Sequence, residues 1–269
     1  MVRKKKEGVD PEPTNVMAIT TIEPRYTKVI LFVDIMFVNR LAVLTTLSKH
    51  LHFRTAEGLT SLSNRNLEEG LKKTISTYRS QGFTVTKVLG DRQFAGTQRF
   101  LSKFKVTLNL TARDEHVPQI ERFHQTIKER CRSAYHNTPF QHLPWGVVLE
   151  LIRSTLFYLN GFPWAKGISK NISPLEIVTG MKLDYNKHCQ YQFREYAHAQ
   201  EETDNTLKQC TTRAIVLRPT RNSQGSMRLY SLTSGWKIVR SPNDIRILPM
   251  PVTETVRRLN TLANSFNKF

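Results

Sequence analysis

The 269 residues carry 40 Lys plus Arg against 22 Asp plus Glu, a formal charge of +18 with a pI near 10.1, and 39% are hydrophobic. That apolar content suffices for a buried core and excludes a chain disordered throughout. The charge excess calls for a polyanionic partner, nucleic acid ahead of a membrane surface, because no long basic amphipathic helix is evident. Cys131, Cys189 and Cys210 include no CxxC pair, which disfavours a disulfide framework and a closed zinc site and fits a reducing compartment. No stretch approaches the roughly 18 apolar residues of a membrane span, and no apolar signal segment follows the basic run Arg3, Lys4, Lys5, Lys6.

Residues 1–25, with Pro11, Pro13 and Pro24 and no hydrophobic period, read as a flexible basic lead-in whose 3–6 run is either a nuclear-import signal or a solvated arm. Val29, Ile30, Leu31, Phe32 and Val33 form an unbroken apolar run, the pattern of a strand buried on both faces, and it delivers Asp34 at or just inside its end. Residues 41–47 and 51–56 are shorter strand candidates in an antiparallel meander, with His50 and His52 alternating on one strand face. Leu67, Leu71, Ile75 and Tyr78 then recur at helical spacing, with Asn64 or Asn66 as cap and Gly82 as stop. A fourth strand over 83–89, a short helix over 97–103 and a fifth strand over 106–110 follow.

Pro118 opens a long helix whose apolar stripe is Ile120, Phe123, Ile127 and Cys131. A second long helix is expected over 145–160, and Ser173, Pro174 and Glu176 form a capping box for a short helix ending near Gly180. This order predicts an α/β fold over 26–185, a mixed five-stranded sheet flanked by helices. From about Tyr191 the texture changes to β-rich pieces at 213–217, 228–232 and 236–239, separated by turn residues at 222–225 and 233–235. These predict a small all-β, barrel-like module over 190–250, followed by a helical tail over 251–269.

Asp34 and Asp91 each follow a predicted buried strand, and Glu121 lies in the first turns of the Pro118 helix. Adjacent strand ends with a helix across them can bring three carboxylates together, enough to share two hard cations roughly 3.5 to 4 Å apart for phosphodiester chemistry. Most acids are solvated surface residues. Asp34, however, closes a hydrophobic run, where an unpaired charge is costly, whereas Asp91 after Gly90 can also simply start a turn. Gln125, Lys128 and Arg132 fall on nearly the same helical face as Glu121 and are candidates to contact DNA phosphates. The plainer alternative is an exposed face on which Glu121 touches Gln125 and Lys128. His116 and His188 lack partners at zinc spacing and read as structural or surface residues, and no GxSxG elbow supports a serine triad.

The run 33–39 (VDIMFVN), the run 115–122 (EHVPQIER) with 127–130 (IKER), and Ser173-Pro174 through Thr179-Gly180 together resemble the polyprotein integrase region of copia-type LTR retrotransposons. The run 225–232 (GSMRLYSL) resembles the β module that follows that core, so the likeness covers roughly residues 25–262. The resemblance implies an RNase H-like catalytic core binding two Mg²⁺ or Mn²⁺ ions, which trims cDNA ends and joins them to target DNA in the nucleus, as a homo-oligomer and without a membrane. It implies that Asp34, Asp91 and Glu121 hold the metal and that Lys128 contacts element-end DNA. Two departures stand out: Glu121 follows Asp91 by only 30 positions (121 minus 91), and Arg92 and Gln93 replace the Gly or Asn-Gly common after the second aspartate. The alternatives are a catalytically inactive nucleic-acid-binding remnant and an RNase H acting on hybrids.

Overall fold

A computed structural model of the chain describes residues 24–111, 118–140, 142–165, 167–202, 206–207 and 209–266. The lead-in up to residue 23 and His116 lie outside the described residues. After a 3-10 turn at Pro24–Thr27, strand β1 (Lys28–Val38) pairs antiparallel with β2 (Leu41–Ser48), which pairs antiparallel with β3 (Arg54–Leu59). Helix α1 (Asn64–Arg79) returns the chain so that β4 (Thr84–Gly90) lies parallel to β1, and α2 (Gln98–Lys103) precedes β5 (Thr107–Leu110), parallel to β4. The sheet order is therefore β3-β2-β1-β4-β5, a mixed five-stranded sheet.

Three local expectations need correction. β1 does not stop at Asp34 but runs four residues further, to Val38, because Asn39 and Arg40 both take positive φ (48° and 66°) and close a tight hairpin into β2. A two-residue hairpin turn with that geometry matches the strand twist, and the Asn-Arg pair gives only a weak sequence signal for it. β3 starts at Arg54 rather than 51, so His50 and His52 occupy the preceding turn, where His52 has φ 51° and stacks on Trp164 at 3.9 Å between centroids. The cap of α1 is Ser63, whose side chain accepts from the Asn66 N–H, rather than either asparagine.

Helix α3 (Pro118–His136) and helix α4 (Trp145–Gly161) cover one face of the sheet. Ile120, Phe123 and Ile127 of α3 and Leu149, Ile152 and Leu156 of α4 pack on Phe32, Met36, Val43, Leu47 and Ala56. The opposite face is covered by α1 and by α5 (Pro174–Thr179), with Leu67, Leu71, Ile75 and Leu175 packed against Leu31, Val33, Ile35 and Val88. Such two-sided burial explains why β1 reads as a continuous apolar run. The capping box at α5 forms as expected, Ser173 Oγ accepting from the Glu176 N–H at 3.1 Å and Gly180 ending the helix at φ 70°.

Beyond the short helix α6 (Tyr185–His188), strands β6 (Tyr196–Gln200), β7 (Thr211–Pro219), β8 (Met227–Ser231), β9 (Lys237–Arg240) and β10 (Ile245–Ile247) form a second, antiparallel sheet in the order β10-β6-β7-β8-β9. Its edges, β9 and β10, do not pair with one another, so no ladder among the described residues closes it into a barrel. Helix α7 (Val252–Phe266) is a structural layer rather than a tail: Leu259 is fully buried with Tyr196, Ile215, Leu217 and Tyr230 of this sheet. Phe140, ahead of α4, and Val147 in its first turn join the same cluster, while Leu149, Ile152 and Leu156 of α4 pack on the first sheet, so this helix contributes to the cores of both sheets. No helix among the described residues is long and apolar enough to cross a membrane.

Candidate metal centre

Strand register places the first two acids. Phe32 of β1 pairs with Leu89 of β4, the last pair of that ladder; Asp34 follows two residues later within β1, and Asp91 stands one residue past the end of β4 at Gly90. Within β1, two residues along restore the face of Phe32 for Asp34, and Phe32 and Leu89 both contribute to the core beneath α3. The third acid, Glu121, is exposed in the first turn of α3, one residue from the buried Ile120 that anchors this helix to the sheet.

The Asp34 side chain is 33% exposed. Burial raises its pKa above the ordinary aspartate value. The Ile35 N–H, 2.7 Å from Oδ1, opposes that rise; the charges of Asp91 and Glu121 add to it, and that of Lys128 opposes it. The three acids predicted from sequence thus lie within one another's electrostatic reach at Asp34. Asp91 has a second duty, as its Oδ1 accepts from the Gln93 N–H at 3.0 Å and caps the 3-10 helix at Arg92–Thr97. The turn role expected of Asp91 is thus filled, and Arg92 begins the capped helix.

As placed, no group of three His, Cys, Asp or Glu side chains among the described residues could hold a metal ion. The donor chemistry nevertheless suits a hard divalent cation: all three groups are carboxylates, and the charge of the most buried one, Asp34, is disfavoured first by burial and then by its like-charged neighbours. Oδ1 of Asp34 and Oδ1 of Asp91 are already engaged with backbone N–H groups, which orient both carboxyls.

His124, one turn beyond Glu121 on α3, was not singled out from the sequence, and its only sequence signal is its position between Glu121 and Lys128 at spacings of three and four. Its Nε2 is 2.6 Å from Thr45 Oγ1, and its Nδ1 is 3.6 Å from Asp34 Oδ2. Thr45 donates its one hydroxyl proton to the Asp34 carbonyl at 3.0 Å, so it accepts from a protonated His124 Nε2. Burial first, then Lys128, lowers the His124 pKa to about 4, so at neutral pH the ring is uncharged and turns an unprotonated Nδ1 toward Asp34. The contact is therefore no ion pair, and the Asp34 charge is left for other cations.

No family model and no curated protein matches the chain.

The remaining candidates on α3 divide. Lys128 stands close enough to Asp34 and His124 to bias both titrations. Together with Arg132 it borders a cavity of about 360 Å³ between the β1–β2 hairpin and helices α3 and α4. Gln125 donates to Glu129 at 3.0 Å on the exposed side of the helix. His188 is structural, as expected: it is buried, with its ring nitrogens 3.1 Å from the Asp184 nitrogen and 3.0 Å from the Asn222 oxygen. Another cavity, of about 1090 Å³, lies between the C-terminal ends of α1 and α5 and the β7–β8 turn, and none of the three acids lines it.

Proposed function

We propose that the chain is the catalytic and DNA-binding portion of a copia-type LTR retrotransposon integrase, a polynucleotidyl transferase with an RNase H-like core. The observation that carries this reading is that Asp34 on β1, Asp91 just past the end of the parallel neighbour β4 and Glu121 in the first turn of α3 come near enough for the charges of Asp91 and Glu121 to act on Asp34. The sequence resemblance and the +18 charge support the same reading. Asp34, Asp91 and Glu121 would hold Mg²⁺ or Mn²⁺, which supplies activation of the attacking water or 3′-hydroxyl and stabilises charge on the phosphodiester.

The protein's own groups then have separable tasks. The Ile35 N–H fixes one Asp34 oxygen, and the neutral His124, held by Thr45, walls the carboxyl without neutralising it. Lys128 offers positive charge to a phosphate beside the reacting one, with Arg132 further along the same helix. Element-end DNA and target DNA are the partners, the protein acts as a homo-oligomer, and the nucleus is its site of action. End joining on a short labelled duplex with Mg²⁺ or Mn²⁺ tests the reading: wild-type protein should join and Asp34→Asn should not, and equal joining by the two overturns it.

A second reading, a catalytically inactive DNA-binding protein, is favoured by the failure of any three ligand groups to stand at chelating range among the described residues. It predicts salt-sensitive duplex binding, no joining, and no Mn²⁺ uptake in a titration.

A further inference from the structure

Where α4 meets the second sheet, one carboxylate is crowded by cations. Glu150 is fully buried; its Oε2 is 2.6 Å from Arg218 Nε, and its Oε1 is 3.1 Å from Arg153, 3.3 Å from Lys237 and 3.5 Å from Arg228. Arg153 reaches past it to Glu57 at 2.9 Å. Arg221, exposed on the β7–β8 turn with φ 72°, feels Arg218 and Arg153 as repulsive neighbours. Five cations thus share two carboxylates, and the Nε–H of Arg228 is buried with no hydrogen-bond partner among the described residues.

The backbone adds to this surplus. α4 begins beside the cluster with no acidic residue in its first turn and no side-chain cap, so the positive end of its dipole is not offset there. The Lys237 chain lies over that turn, its Cε 3.6 Å from the position a Cβ would take at Gly146. Across the sheet, Asp34 pairs with Thr45 and Thr45 with Ala56, whose carbonyl accepts from Arg153 Nε at 3.5 Å. The cluster therefore starts two strands from Asp34, about 10 Å at the usual strand spacing.

We propose that this junction is a phosphate seat, in which Arg153, Arg221, Arg228 and Lys237 grip the backbone of a DNA duplex while Glu150 and Arg218 hold the guanidinium groups in place. The inference rests on nucleic acid being the partner but not on metal chemistry. A residual charge this large, half desolvated, favours a polyanion over a single small ion, and its spacing from Asp34 spans about three nucleotides of one strand at 3.4 Å each.

The test is duplex affinity measured in EDTA, with fluorescein-labelled DNA across a salt series. Arg221→Gln with Lys237→Gln, which leaves Arg153, Arg218 and Arg228 on Glu150, should weaken binding several-fold and flatten the log–log salt slope by about 1.8, two contacts at about 0.9 each. The control is Lys72→Gln with Lys73→Gln on the exposed side of α1, across the sheet from α4, which removes the same charge. Equal weakening by both pairs, or no change in the first, overturns the seat while leaving DNA as partner. A wild-type protein that binds no duplex overturns both the seat and the DNA reading. Melting curves confirm that each variant is folded, and if the first pair is not, Arg221→Gln alone should flatten the slope by about 0.9.

Discussion

Asp34 sits on β1 of the first sheet and Glu150 on α4 where that helix meets the second sheet, and the protein shifts the two acids in opposite directions. Asp34 is crowded by carboxylates and by burial, and its pKa rises. At Glu150 burial alone would raise the pKa, but Arg218, then Lys237 and Arg153, pull it down to about 2. One region gathers carboxylate charge around a part-buried aspartate, with Lys128 opposing it; the other gathers five cations around two carboxylates. Burial sets the cost of a charge in both places, and the sign of the neighbours decides whether the fold is helped or hindered by it. The first imbalance invites a cation and the second an anion, which is the pairing that phosphodiester chemistry with metal ions requires.

Breaking the second region should cost the most. Glu150→Gln strands several half-buried cations and is expected to destabilise the fold by about 3–5 kcal/mol, the usual cost of breaking a buried pair, read from urea unfolding at pH 7. Because the folded pKa lies below the ordinary 4.5, this contribution is present above that value and is lost as pH falls toward about 2. The gap between wild type and variant should therefore close in acid, and a constant gap would count against the ionic account.

Asp34→Asn should break the first region in the opposite sense. End joining should fall by roughly 10²–10³-fold or more, the scale for losing one electrostatic group at a reacting centre, while thermal stability at pH 7 stays equal or rises. The sign follows from the raised pKa: the stabilising contribution of Asp34 is full below the ordinary 3.8 and is lost as pH rises through the folded value. A lower melting temperature for the asparagine variant at pH 7 would refute that assignment. Mn²⁺ should raise the melting temperature of wild type and have a smaller effect on Asp34→Asn.

Smaller effects sharpen the contrast. Thr45→Val removes the hydroxyl that holds both His124 Nε2 and the Asp34 carbonyl, at an expected cost of about 1–3 kcal/mol for a buried donor left unpaired, with joining reduced but not abolished. The mildest case is Glu254, also held at about 2, here by hydrogen bonds from Arg257 and Arg258 on the exposed face of α7. Glu254→Gln should leave the melting temperature unchanged, since water already serves these groups.

Much of the first sheet was legible because its strands and helices carry strong periods. The buried run 29–33, the stripe Ile120, Phe123, Ile127 and the Ser173 box each fix an element locally. Asp34 and Asp91 were legible for the same reason, since each follows an apolar run. What escaped was set by tertiary pairing. The length of β1 depended on the left-handed Asn39 and Arg40, and the start of β3 on a turn through His52. His124 became visible only when α3 was laid across Thr45, 79 positions away. Glu150 was hidden inside an apolar helix, because its four cations come from its own next turn and from strands 68 to 87 residues later.

Gly90 gives the two-strand arrangement its tolerance limit. It ends β4 directly before Asp91, and a Cβ there would come 2.7 Å from Val33 Cγ2 and 2.9 Å from Phe94 Cδ2. Even alanine must push apart the residue preceding Asp34 and the ring inside the helix that Asp91 caps. In a saturation scan, position 90 should therefore be as sensitive as the proposed metal-binding acids although it carries no functional group, and its losses should be rescued best by trimming Val33.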